Sequence, residues 1–483
     1  MKEDILTLKS EKNSNVRTIK AATWYTISNF ISKCMLYLFT PLYTRVLSEV
    51  QYGQYNNYLS WQSILIALLA WDMASTVAIA YVDHKEPKEF HRYISTVTFL
   101  SLSIPAAFGV TMLLFYRQFS ALLGIEPIYL VLMIINICTT SALQIFQAEQ
   151  RSKVQYKLSS ALTLANSFGN MLLTLLFVWL LPDKLFAVIL GGLSVTTVIN
   201  VAICVYVFSR SFSVRKEYVH YALKLALPLV PHVVSASLLS SANKILITKL
   251  CGSADTAFYS VVNTCAMVVT LFVTSVNGAW VPWFFSRVEE KDYGAIRKVS
   301  KVTIPLISLV AIAVCLIGPE VVLIMGGRNY AEAVYMMPPM IFGCVIRYVY
   351  TLYVNIEFYN KKTAGISVAT AITAVVNIGL NYVMIRMFGY KAAAYTTMIS
   401  DTVLLAIHMY IVKRQGMWHI FDNKQNMILL AAAGVLCMLI LLIYPLPLMR
   451  YGVIAFAVVA VIVVAVKFRK EIKSLLQKLK DRK

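Results

Sequence analysis

Residues 41–61, PLYTRVLSEVQYGQYNNYLSW, connect the first two apolar stretches of the chain and are echoed far downstream. Thr44-Arg45 is followed by Tyr55, ten residues after the arginine, and Thr248-Lys249 is followed by Tyr259 at the same distance. The two frames lie 204 residues apart, as do Tyr206 and Tyr410, and Arg210 and Arg414. Four points at one spacing predict a chain built as two six-segment halves.

Composition says what surrounds those halves. The 483 residues are 59% hydrophobic and 14% charged, with a mean hydropathy of +0.69. A soluble domain is nearer half apolar and a quarter charged, so the excess points to a polytopic membrane protein. With roughly 20 apolar residues needed per crossing, about fourteen helices are expected. They fall near 21–43, 55–81, 93–116, 127–148, 156–181, 185–208, 222–248, 257–285, 298–318, 333–356, 364–387, 391–412, 426–445 and 450–467. The runs lack the short alternation of a transmembrane barrel. The expected class is therefore an all-α integral membrane protein.

The net charge of +21 invites a nucleic-acid reading, but its placement argues otherwise. With the amino terminus cytoplasmic and every segment crossing once, inner loops and tails hold 33 of the 44 Lys and Arg. The outer loops hold 8, among them Arg45 and Lys249, and Lys33, Lys244 and Arg347 fall within segments. That asymmetry is the positive-inside rule. It places both termini in the cytoplasm and leaves anionic inner-leaflet lipids, not nucleic acid, as the partner of the basic tail 467–483. Residues 1–20 lack the apolar core of a secretory signal, and the eight scattered cysteines contain no CxxC, so neither a disulfide framework nor a metal site is indicated. No cofactor is expected.

These features divide the chain into a basic tail (1–20), a first lobe (21–209), an inter-lobe linker (210–217), a second lobe (218–414), two additional helices (415–468) and a second basic tail (469–483). Connections are too short for a soluble domain, a phosphate-cradling glycine loop or a zinc motif. Asn166 and Asn170, and Asn377 and Asn381, sit at i, i+4 on one helix face and are expected to act as interhelical glue. Pro228 and Pro231 bend segment 7, as a hinge or as a static kink. Trp280-Val-Pro282-Trp283 reads as an aromatic girdle at the inner interface.

Charges within the bilayer cost ~2.5–3.5 kcal/mol on insertion scales, so each needs a reason. Lys33 lies ~16 Å into segment 1 and Asp72 ~13 Å into segment 2 at 1.5 Å per residue. They are expected either to pair or to line a cavity, Lys33 as a cation for an anionic substrate and Asp72 tuning it or carrying a proton. Arg347 begins a polar stripe continued by Tyr350, Thr351 and Asn355, and its guanidinium suits a phosphate. Asp401 is expected to pair with Arg347 or to serve as a protonatable switch. Glu357, near the inner end of segment 10, is the weaker candidate.

PLYTRVLSEVQYGQY, LLSSANKILITKLCGSADTAFYS with the later AWVPWFF, and NKKTAGISVATAITAVVNIGLNYVMIRMFGYKAAAYTTMIS together resemble the polysaccharide (O-antigen type) flippases of the multidrug/oligosaccharidyl-lipid/polysaccharide exporter superfamily. The resemblance runs from about Ile19 to Lys413 and implies two six-helix lobes facing each other in a V around a central cavity, plus two helices. It implies flipping of an undecaprenyl-diphosphate-linked oligosaccharide between leaflets for O-antigen, capsule or exopolysaccharide assembly. Cavity cations would hold the diphosphate, and a polymerase and a chain-length regulator would be partners. Arg45 occupies the family's Thr-Arg at the outer end of segment 1. Where many members carry Asp-Arg in segment 7, this chain has Asn243-Lys244, which puts proton coupling there in doubt. Arg45, Lys244 and Lys249 are expected on an outer rim that gates the cavity, with the binding site deeper, near Lys33 and Arg347. A multidrug:cation antiporter would favour acidic central residues, and a membrane glycosyltransferase or polymerase would need a large external loop.

Overall fold

The computed structural model describes residues 2–362 and 364–467. The tail 469–483 and Thr363 lie outside the described residues, and with them the expected lipid-binding tail. Among the described residues the chain is helical, without strands. The amino-terminal bundle contains α1 (Lys2–Val46), α2 (Glu49–Leu69), α3 (Met73–Asp83), α4 (Pro87–Leu114), the short α5 (Tyr116–Leu123), α6 (Pro127–Ser152), α7 (Tyr156–Leu180) and α8 (Lys184–Arg210). After a non-helical link come α9 (Lys216–Ala226), α10 (Val230–Leu250), α11 (Ser253–Glu289), α12 (Tyr293–Leu316), α13 (Gly318–Gly326), a 3-10 turn (Arg328–Met336), α14 (Met337–Tyr359), α15 (Ala364–Phe388) and α16 (Ala392–Arg414). Another 3-10 turn (Trp418–Ile420), α17 (Asn423–Ile443) and α18 (Pro447–Lys467) complete the described chain.

Among the described residues, eleven helical stretches are long and apolar enough to cross a membrane, or twelve when the bent pair α9–α10 counts as one. α1 and α18, at the expected first and last crossings, stand outside that set. α1 also begins at Lys2, well before the expected start at residue 21.

Local chemistry sets the boundaries. The Ser48-Glu-Val-Gln51 run is a capping box: the Ser48 hydroxyl accepts from the Gln51 N–H and the Gln51 side chain accepts from the Ser48 N–H, satisfying amides that a helix start leaves orphaned. Pro87 and Pro127 open α4 and α6, where the missing N–H costs nothing. Pro228 and Pro231 withdraw two amide donors from the α9–α10 junction, and the two halves meet at 51°. Segment 2 breaks without glycine or proline: Trp71 and Asp72 both adopt left-handed backbone, at φ 49° and 46°. Such conformations cost of order 1–3 kcal/mol each and mark places where surrounding structure imposes strain. Asp72 therefore caps a helix break and does not lie inside a continuous helix.

Within the amino-terminal bundle α6 packs on α3, α4 and α8, while α7 packs on α8 and α1. In the carboxy-terminal bundle α14 is the hub, touching α11, α12, α16 and α17. Its window is 78% buried, against 6% for α7, so α7 presents its apolar side chains outward. Trp280 is buried and stacks on Phe284 and Phe421. It belongs to the core beneath the 418–421 turn, which corrects the expectation that it stands in an interfacial girdle.

The bundles meet along α2, which lies against both α10 and α11. Gly53 permits the contact: a Cβ there would fall 1.7 Å from the Ser253 carbonyl oxygen. At the other end α9 packs on α3 and α4. The Tyr221 hydroxyl donates to Asp83 at 2.5 Å, and Tyr218 donates to Glu89. The link before α9 is tied to α4, with Ser213 N–H donating to the Ser95 hydroxyl (3.1 Å) and Thr96 donating to the Ser213 carbonyl (2.9 Å).

Candidate functional site

Mid-way along α14, Arg347 meets Asp401 of α16. Its Nε lies 3.0 Å from both carboxylate oxygens. The Asp401 side chain is 2% exposed and that of Arg347 43% exposed. Gly343, one turn before Arg347, makes room for the carboxylate, since a Cβ there would stand 3.0 Å from Asp401 Oδ2. The pair is thus asymmetric: the acid is sunk between helices, and the guanidinium is held by one edge. Among the described residues its Nη groups have no protein partner within hydrogen-bond reach. An arginine fixed in this way presents a planar, permanently charged fork to an anion.

The expected stripe below Arg347 divides. Thr351 is half-buried and donates to the Tyr348 carbonyl (2.7 Å), while Asn355 is buried and donates to Asn277 of α11 (3.2 Å). Tyr350 stacks on His408 of α16, with centroids 5.4 Å apart. Thr351 and Asn355 thus direct these donors to the protein. The His408 Nδ1 stands 2.6 Å from Glu357 Oε1 with both side chains fully buried. Sequence reasoning ranked Glu357 low and passed over His408. The signal was a lone histidine seven residues beyond Asp401 on the same apolar helix.

Lys33 and Asp72 are not joined. Among the described residues neither of them enters an ion pair, and Lys33 is exposed on α1. Of the two expected alternatives, pairing or cavity lining, the Lys33–Asp72 pair is not formed: Asp72 sits at the helix break, with its side chain making no cap hydrogen bond to α3. It lines a cavity of about 440 Å³ between α2, α6 and α10, together with Gln62, Ser63, Gln144 and Ser237.

Where the bundles meet along α2, Lys244 of α10 crosses to α2 and donates to Asn56 Oδ1 at 3.1 Å. Lys249 Nζ lies 5.9 Å from the centre of the Trp61 ring. Arg45 is exposed at the end of α1. Its neighbour Thr44 makes the tighter contact, donating to the Met325 carbonyl of α13 at 2.6 Å. Gly53–Ser253, Thr44–Met325 and Lys244–Asn56 thus join the two bundles at this end. Asn243 turns the other way, into a buried network with Tyr259, Thr397 and Asn381. Thr396 donates to Asn381 and Asn377 donates to Ser400. In the other bundle Asn166 and Asn170 share Thr196 of α8. All four paired asparagines thus join helices, and all eight cysteines are free thiols.

This fold is that of the membrane transporters of the MOP superfamily. An inward-closed structure of the lipid II flippase MurJ matches with a TM-score of 0.72 at 13% identity, covering 93% of this chain and 99% of that one. An inward-facing multidrug resistance MATE family transporter of the same superfamily matches with a TM-score of 0.61 at 13% identity, covering 82% of this chain and 95% of that one. Residues 18–288 match the family model described as polysaccharide biosynthesis protein, and the chain belongs to that family. An "uncharacterized membrane protein" of Haemophilus influenzae is 20% identical over 375 residues, spanning 75% of this chain and 89% of the relative.

Proposed function

We propose that this protein is a transporter, not an enzyme, that flips an undecaprenyl-diphosphate-linked oligosaccharide repeat unit from the inner to the outer leaflet of a bacterial cytoplasmic membrane. The product would feed O-antigen, capsule or exopolysaccharide assembly, with a polymerase and a chain-length regulator as downstream partners. The observation that carries the reading is Arg347: a guanidinium mid-way through a membrane helix, anchored through Nε and open on its Nη side. A cation within a membrane segment costs ~2.5–3.5 kcal/mol on insertion scales, and a diphosphate supplies the charge that this fork fits. Lys33, exposed and without an acidic partner, adds a further positive group from α1. Family membership supports the polysaccharide end of the proposal, and the likeness to a lipid II flippase supports the lipid-linked end.

Residues 21–209 and 218–414 act as the two moving lobes in this reading, with 210–217 as the link and 415–468 riding on the second lobe, against which α17 packs. Both termini are cytoplasmic. Arg45, Lys244 and Lys249 belong to the outer gate in this reading. Opening it requires α2 to part from α10 and α11, breaking Lys244–Asn56 and Thr44–Met325. Asp401 fixes the arginine, and its own protonation would release it, which makes Asp401 the coupling candidate. Asp72 has no cation to release and is assigned otherwise below.

The test is lipid analysis of a deletion strain complemented with variants. The deletion is expected to trap lipid-linked repeat units on the inner leaflet. Arg347→Ala is expected to restore export at least about tenfold less well than wild type, a loss of ~1.4 kcal/mol or more. Full export by Arg347→Ala would end the cationic-site reading.

A further inference from the structure

The cavity between α2, α6 and α10 differs in chemistry from the arginine site. Its polar lining consists of Gln62, Ser63, Asp72, Gln144 and Ser237. No lysine or arginine lines it, and its one ionisable group is a carboxylate. An anion is repelled there. The groups present are hydrogen-bond acceptors and amide or hydroxyl donors. Gln62 already donates through Nε2 to Asn136 at 2.6 Å, which fixes its amide so that Oε1 is the free atom. Ile66, Ala67 and Val233 supply an apolar wall. Amide, carboxylate and hydroxyl groups beside an apolar face suit a ring that is hydroxylated at its edge and carbon-hydrogen-rich on its face. The volume of about 440 Å³ falls in the ~300–1,000 Å³ range of small-molecule pockets.

Two further facts bear on the site. Trp71 and Asp72 hold strained left-handed backbone at its edge, and strain of this kind is retained where the surrounding structure fixes a side chain in place. The walls also come from both bundles, α2 and α6 from one and α10 from the other, so the cavity changes shape whenever the bundles move.

We propose that this cavity is the sugar subsite of the transporter, recognising an uncharged hexose or N-acetylhexosamine unit of the lipid-linked head group through Asp72, Gln62 and Gln144. Ser63 and Ser237 complete the set of partners for its hydroxyls. The assignment rests on the flippase reading and divides its labour: Arg347 and Lys33 hold the diphosphate, and the cavity selects the glycan.

The test uses the full chain in lipid nanodiscs and two kinds of probe: farnesyl diphosphate, and farnesyl diphosphate bearing glucose, galactose or N-acetylglucosamine. Wild type is expected to bind at least one sugar-bearing probe about tenfold more tightly than the bare one. Gln144→Leu and Ser237→Val are each expected to reduce that ratio several-fold while leaving affinity for the bare probe unchanged. Asp72→Asn, which keeps the shape and one acceptor, is expected to fall between them and wild type. Arg347→Ala should weaken both probes equally. A ratio that is absent in wild type, or unchanged in Gln144→Leu and Ser237→Val, overturns the sugar subsite while leaving the flippase reading intact. If wild type binds neither probe, the flippase reading fails and the subsite fails with it.

Discussion

The charges that the sequence singles out fare differently in the two bundles. In the carboxy-terminal bundle Asp401 holds Arg347, and Glu357 contacts His408, with both of the latter side chains fully buried. In the amino-terminal bundle Lys33 and Asp72, at similar expected depths, have no such partner. The amide networks follow the same division. Asn377, Asn381 and Asn243 are buried between α10, α15 and α16, whereas Asn166 and Asn170 bond Thr196 from half-buried positions on the outward-facing α7. An unpaired charge is tolerated in a membrane protein only where water or ligand reaches it. On the flippase reading, the amino-terminal bundle contributes open groups to the transport path. On the same reading, the carboxy-terminal bundle contributes a packed wall on which Asp401 holds the Arg347 guanidinium.

The largest test of that contrast is Glu357→Leu. Removing one partner of a fully buried hydrogen-bonded pair leaves the other unsatisfied and is expected to cost about 3 kcal/mol of stability, read as a lowered Tm in detergent. The double variant Glu357→Leu/His408→Leu is expected to regain most of it. Equal Tm values for wild type and the single variant would show that this wall does not depend on its pairs.

Next comes the seam where the bundles meet. Gly53→Val places side-chain atoms where even a Cβ falls 1.7 Å from the Ser253 oxygen, an overpacking of about 1–3 kcal/mol or more borne only while the outer side is closed. Spin labels at the outer ends of α1 and α13 are expected to report a longer distance in this variant. An unchanged distance distribution would show that the seam does not set the conformational balance.

Lys244→Met removes the one charge-assisted hydrogen bond seen across that seam. The expected loss is about 1.5 kcal/mol of closed-state preference, and a double-mutant cycle with Asn56→Ala should return most of it as coupling. Additive effects would reduce Lys244 to a bystander.

The smallest expected effect on stability is the most telling for the amino-terminal side. Lys33→Met should leave stability within about 0.5 kcal/mol of wild type while lowering export. A large drop in Tm would mean that Lys33 carries a structural load of the kind found in the other bundle.

Length, hydropathy and the distribution of 44 basic residues determined by themselves that this is a helical membrane protein of many crossings, because burial in lipid imposes a period and a charge asymmetry that need no three-dimensional information. The repeat at residues 41–61 and 248–259 marked the two ends of the outer seam, and Arg347 stood out as a charge with too high a cost to be idle. Pairing was decided only in the folded chain. Lys33 and Asp72 matched in depth yet failed to meet, because Trp71 and Asp72 break the helix and turn the carboxylate into the α2–α6–α10 cavity. Arg347 and Asp401, 54 residues apart, met because Gly343 left space for an oxygen. Depth along a helix can be read from residue number, but the direction a side chain faces depends on where neighbouring helices lie, and tertiary packing fixes that.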